Sequence, residues 1–171
     1  MTGGELIPFK NVVSSYDEAK ILRKRYFLHM DENNWRKGVF HYAVIICELE
    51  RNEGFAFDGD SFLLESTYCK ENSKFNLLNL YNSKTLNGEE RAAKVWATLM
   101  MHETGHVLGI HHGNTKGCDN RETYFPWQFG YWKWSNYKSC MNYRYVLELV
   151  DYSDGTHGKN DFDDWERIDL T

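Results

Sequence analysis

The sequence predicts an α+β fold, and three patterns carry that expectation. Helical periodicity marks one stretch opening near Ser14 and another beginning at Glu89. β-formers concentrate between Val39 and Thr67, and the chain beyond Gly113 is loop-rich and crowded with aromatic rings. At 171 residues, 42% of them hydrophobic, the chain is long enough for one domain with a sizeable core.

Ser14, Ser15, Tyr16 and Asp17 open the first helix, which runs to about Leu28, with Asp17 and Glu18 suited to its positive N-terminal end. Residues 39–47 are a near-continuous β-former run, the signature of an interior strand buried on both faces. After the polar loop at 50–54, residues 55–67 read as a strand, an Asp58-Gly59 turn and a second strand. Residues 75–80 add a segment that is ambiguous between helix and strand. From Glu89, the residues Ala92, Ala93, Trp96, Leu99 and Met100 recur at helical spacing, with Asn87-Gly88 ahead and Gly109 behind. Near the end, Asp161 reads as the cap of a final helix through Ile168.

The second helix carries the strongest chemical signal, His102-Glu103-Thr104-Gly105-His106-Val107-Leu108-Gly109-Ile110-His111-His112. Residues four apart on a helix share a face, so His102 and His106 can present two imidazole nitrogens to one zinc ion. Glu103 stands one position round from His102, where its carboxylate lies beside a metal rather than on it, as a general base should. Gly109 suits a left-handed helix end, after which the chain can turn and bring His112 back as third ligand; the spacing after Gly109 selects His112 over its neighbour His111. Three imidazoles leave one tetrahedral position open for water, the arrangement of a catalytic zinc site. A chance HExxH should turn up in roughly one window in ten thousand, a moderate signal, and Gly109 and His112 at fixed offsets make chance less likely by roughly another two to three orders of magnitude.

With this string, HExxHxxGxxH, the chain resembles the metzincin clan of zinc metallopeptidases, whose pattern continues into a Met-turn. Ser139-Cys140-Met141-Asn142-Tyr143 reads SxMxY and is the matching segment downstream. The resemblance implies a metzincin-like catalytic domain with a twisted mixed sheet, an antiparallel edge strand, two main helices plus a C-terminal helix, and a loop-rich lower subdomain. It places residues 1–112 above a cleft and 113–171 below it. Met141 would floor the histidines, and the Tyr143 hydroxyl would ligate zinc at rest and stabilise the oxyanion. The candidate edge strand is residues 61–66, along which an extended peptide or protein substrate would pair by main-chain hydrogen bonds. Archaemetzincins share the long motif but add a four-cysteine site with a close CxxC pair. Here Cys47, Cys69, Cys118 and Cys140 include no CxxC, so the chain departs from that branch.

The implied activity is endopeptidase hydrolysis by water activated on one catalytic Zn2+, with Glu103 as base. The alternatives are a zinc aminopeptidase, for which no clear acidic anchor for a free amine is evident, and a catalytically silent peptide-binding scaffold, against which the retention of Glu103 argues. Net charge is −5, and the densest basic run, Arg23-Lys24-Arg25, reads as a solvated helix face, so nucleic acid is a poor partner. No stretch approaches a membrane span, and a monomer is expected. Family resemblance favours secretion, yet residues 1–20 lack an apolar signal-peptide region, which leaves the compartment open. Cys118 and Cys140 flank an aromatic loop and are compatible with either a disulfide or free thiols, while Cys47 reads as an inert buried thiol. The tail around Asp151–Asp164 has oxygens enough for calcium but not the spacing of an EF-hand, so the helix cap is the simpler reading.

Overall fold

The computed structural model describes residues 12–13, 15–46, 48–49, 54–65 and 88–169. They fall into two compact units that part between residues 68 and 69. The motif helix belongs with the segment that follows it, since the Tyr152 hydroxyl donates to the Met101 carbonyl at 2.6 Å.

In the first unit, α1 (Tyr16–Leu22) starts where Ser15 adopts an extended backbone and its hydroxyl accepts from the Glu18 amide, satisfying an otherwise orphaned helix donor. The helix continues as a π-helical turn over Arg23–Phe27, closed by the Leu28 amide on the Arg23 carbonyl. β1 (Val12–Val13) runs parallel to β3 (Glu48–Leu49). A separate mixed sheet has the order β2 (Tyr42–Ile46), β5 (Ser61–Glu65), β4 (Gly54–Phe57), with β2 parallel and β4 antiparallel to β5. The Asp58-Gly59 turn forms as expected, both residues taking positive φ, +54° and +72°.

Two strand assignments exchange places. Residues 61–66 were expected at an edge, but β5 is hydrogen-bonded on both sides and buried from Ser61 to Leu64, so this segment has no free edge for a substrate strand. Residues 39–47 were expected inside, but β2 is an edge of this sheet among the described residues, and its burial alternates. Val44 and Ile46 pack inward with Ala19, Phe57 and Leu63, while Ile45 is 55% exposed. A run of β-branched residues signals strand conformation but not which strand has neighbours on both sides. The segment expected at 75–80, and Cys47 and Cys69, lie outside the described residues.

In the second unit, α2 (Gly88–Val107) buries Val95, Thr98, Leu99 and His102, the i, i+3, i+4, i+7 stripe of an amphipathic helix. A 3-10 turn (Arg121–Thr123) and the short α3 (Phe129–Lys133) follow. The expected final helix does not form. Asp163 instead bridges Asp154, its carboxylate accepts from the Trp165 and Glu166 amides, and the Asp169 amide donates to the Leu108 carbonyl at 2.8 Å. Asp164, fully buried, accepts from the Tyr137 hydroxyl and the Ser153 amide, so the tail is a strap held by long-range bonds rather than a helix. Among the described residues, no helix is long and apolar enough to cross a membrane.

Arg23 is not the solvated charge its Arg-Lys-Arg run suggested. It is 5% exposed, and its Nε donates to Asp60, 7% exposed, at 2.7 Å. Burial alone would raise the Asp60 carboxyl; the Arg23 guanidinium and the Ser61 hydroxyl outweigh it and hold the group below the usual carboxylate range. A folded value below the unfolded one means stabilisation that is present above about pH 3.9 and lost as pH falls through the folded value. Asp60→Ala leaves the buried guanidinium with only its longer, 3.7 Å contact to Asp58 and should cost the first unit up to about 3–5 kcal/mol. Hydrogen exchange at β5 amides reads this directly, and unchanged protection at neutral pH would refute the role of the pair.

Candidate metal centre

The end of α2 shapes the site. The Gly109 amide bonds the His106 carbonyl and the Ile110 amide bonds the Gly105 carbonyl, the paired bonds of a Schellman cap, with Gly109 at φ +95° as the left-handed residue. Ile110 is then carried into a fully buried position. Its carbonyl faces back to His106 Nδ1 at 2.8 Å, so the cap that stops the helix also orients the second motif histidine.

The other two histidines are held in the same way. His102 Nδ1 lies 2.8 Å from the Cys140 carbonyl, and His112 Nδ1 lies 2.9 Å from the Cys118 carbonyl. A carbonyl oxygen can only accept, so each Nδ1 carries a hydrogen, and Nε2 is the nitrogen left to offer a lone pair when the ring is deprotonated. This is the tautomer a metal ligand needs, set by partners outside the coordination shell. His111 is turned elsewhere: it is exposed, and its Nδ1 accepts from the Gly113 amide.

The structure brings His102 and His106 together with a residue the sequence reading passed over, Asp119. One ligand atom from each lies within 4.8 Å of the others, whereas His112 stands outside this tightest group. The two Nε2 atoms are 3.1 Å apart, and Asp119 Oδ1 and Oδ2 lie 3.1 Å from His102 Nε2 and His106 Nε2 respectively. Oδ1 is buried. Basic nitrogens and carboxylate oxygens at this separation are a donor set that suits zinc. Without a metal, burial opposes charge on His102, and the Asp119 and Glu103 carboxylates outweigh it, lifting its pKa to about 9. Burial would raise Asp119, but the two imidazoles hold it well below the ordinary carboxylate range. The only sequence signal for Asp119 is that it is the first acidic residue after the motif.

Glu103, 5% exposed, is buried beside His102. Met141 is fully buried against the motif helix, so close to Gly105 that a methyl there would collide with its Sδ and meet Tyr152 Cε1 at 3.2 Å. The Ser139 hydroxyl accepts from the Met141 amide, closing the turn. Tyr143 stacks on His102, with centroids 5.8 Å apart, and Tyr124 stacks on Tyr143 at 4.6 Å, which carries the aromatic segment up to the histidines. Burial, with Asp119 adding, pushes the Tyr143 hydroxyl up, so it stays a protonated donor. Cys118 and Cys140 are both buried free thiols, and burial pushes both up. In the tail, Asp154, His157 and Asp161 gather, but Asp161 already accepts from the Ser153 hydroxyl and the His157 amide.

No family model, no curated protein and no solved structure matches this chain.

Gly105→Ala should cost about 1–3 kcal/mol through overpacking. The cost should shrink in a Met141→Ala background, because the two sites share one contact. Urea denaturation of the single and double variants checks this, and equal costs in both backgrounds would count against Met141 as the floor beneath Gly105.

Proposed function

We propose that this chain is a zinc-dependent endopeptidase of metzincin type. In this reading His102 and His106 hold the ion, joined by His112 from the same motif, and Glu103 is the general base. The observation that carries it is the orientation of the three imidazoles: each Nδ1 is committed to a main-chain carbonyl, and each Nε2 is left basic. Two Nε2 atoms 3.1 Å apart, with the Asp119 carboxylate beside them, make a donor set into which a divalent cation fits. When bound, zinc supplies a Lewis acid that polarises a carbonyl and lowers the pKa of a water toward about 7.

The chain's own groups divide the remaining work. Glu103 takes the proton of the attacking water and passes it to the leaving amine; its burial beside His102 keeps the carboxylate in a low-dielectric setting where proton transfer is short and directed. Tyr143, stacked on His102 and kept protonated by burial, donates a hydrogen bond to the developing oxyanion. Met141 supports the helix from below at Gly105 and so fixes the height of His102 and His106. The Cys140 and Cys118 carbonyls keep the His102 and His112 rings from turning over.

Glu103→Gln should leave zinc bound and lower hydrolysis by about 100-fold or more. Peptide mapping by mass spectrometry after digestion of an unfolded protein substrate should show internal cuts with the parent chain, abolished by a chelator and restored by zinc. Full cleavage by Glu103→Gln would remove Glu103 from the mechanism. Products shortened one residue at a time would favour an aminopeptidase, and an absence of cuts would favour a silent scaffold.

A further inference from the structure

We propose that Asp119 is itself a ligand of the metal held by His102 and His106, supplied by the loop that follows the histidine motif. This rests on the metal-binding reading of those histidines and adds to it a carboxylate that the motif does not contain; with His112 it makes a fourth protein ligand, so water would enter at a fifth position.

Three residues converge here, with His102 Nε2, His106 Nε2 and one carboxylate oxygen of Asp119 lying within 4.8 Å of one another. The Nε2 atoms are 3.1 Å from each other, and each is 3.1 Å from one carboxylate oxygen. In the neutral rings neither Nε2 carries a hydrogen, because each Nδ1 donates to a carbonyl, at Cys140 and at Ile110. Asp119 Oδ1 is buried and faces His102 Nε2 at 3.1 Å. A divalent cation placed among these atoms would take up their lone pairs in place of the protons that otherwise hold the imidazoles and the carboxylate together. The spacing is right for that: ligands bound at about 2.0 Å around a tetrahedral ion lie about 3.3 Å apart.

The backbone holds the carboxylate in place. Asp119 sits at φ +51°, in the left-handed region that Asp and Asn adopt more readily than other non-glycine residues. Its amide donates to the Met141 carbonyl at 3.1 Å, which ties it to the turn beneath the motif helix. The preceding residue, Cys118, is fully buried, donates its amide to the Thr115 carbonyl, and accepts from His112 Nδ1 at its own carbonyl. The third motif histidine thus grips the peptide next to Asp119. A carboxylate in the shell cancels half the charge of a divalent ion, which tempers its pull on a bound carbonyl.

The test is a Zn2+ titration of the metal-stripped full chain against a chromophoric chelator, for the parent and for Asp119→Asn. Asparagine keeps the size and tolerates left-handed backbone. Zn2+ affinity should fall by more than about 100-fold, beyond the 10–100-fold that partners outside the shell command. The visible absorption of the Co2+-loaded variant should also shift from that of the parent. Equal affinity and an unchanged Co2+ spectrum overturn the role of Asp119 and leave the histidine site standing. A parent chain that takes up neither ion overturns both readings. Should Asp119→Asn fail to fold by circular dichroism, zinc-edge X-ray absorption of the parent decides: a shell containing carboxylate oxygen supports the ligand, and an all-imidazole shell overturns it.

Discussion

Three main-chain carbonyls, at Ile110, Cys118 and Cys140, accept the Nδ1 hydrogens of His106, His112 and His102, and the candidate site depends on them more than on any side chain. Each comes from a different piece of local structure: the helix cap, the loop that follows it, and the turn that contains Met141. An imidazole on a free helix surface rotates about two bonds and exchanges tautomers. Bonded through Nδ1 it does neither, and the entropy of ordering it is met during folding rather than at binding. The proposed metal and base then find their geometry already made.

That constraint explains why the surrounding chain is built as it is. The Ile110 carbonyl can face His106 only if the helix stops at Gly109 in a left-handed conformation, and the Asp169 amide on the Leu108 carbonyl holds the tail across that ending. The Cys140 carbonyl can reach His102 only if the Met141 turn lies flush with the helix, which requires the bare backbone of Gly105. The Cys118 carbonyl depends on the buried Cys118 and on the Asp119 amide bonded to Met141. Cap, loop and turn are therefore one interlocked unit. The sulfur of each cysteine contributes burial, while its backbone contributes orientation.

Much of this was legible in the residues. Helix starts at Ser15, the Asp58-Gly59 turn, the reach of α2 and the break at Gly109 follow from capping, turn chemistry and glycine's freedom, all of which act over four residues or fewer. The roles of β2 and β5 were read in reverse because both are short apolar runs, and burial on two faces depends on which strands lie alongside. The final helix was expected from a good cap at Asp161. It lost to longer-range partners, the Asp154–Asp163 bridge and the buried Asp164 carboxylate, whose existence no local window contains.

The sequence by itself determined the chemistry on offer: His102, His106 and His112 at their spacing, Glu103 beside the first of them, and Met141 and Tyr143 downstream. Helical periodicity converts such spacing into a shared face with no help from the rest of the fold. Only the tertiary structure decided which nitrogen of each ring is basic, that Gly105 makes room for Met141, that Tyr143 stacks on His102, and that Asp119 rather than His112 stands nearest the first two histidines. The physical reason is one of range. A helix relates residues three and four apart, but the carbonyls that orient His102 and the turn that carries Asp119 reach the motif through bonds spanning tens of residues, and those exist only once the chain has folded.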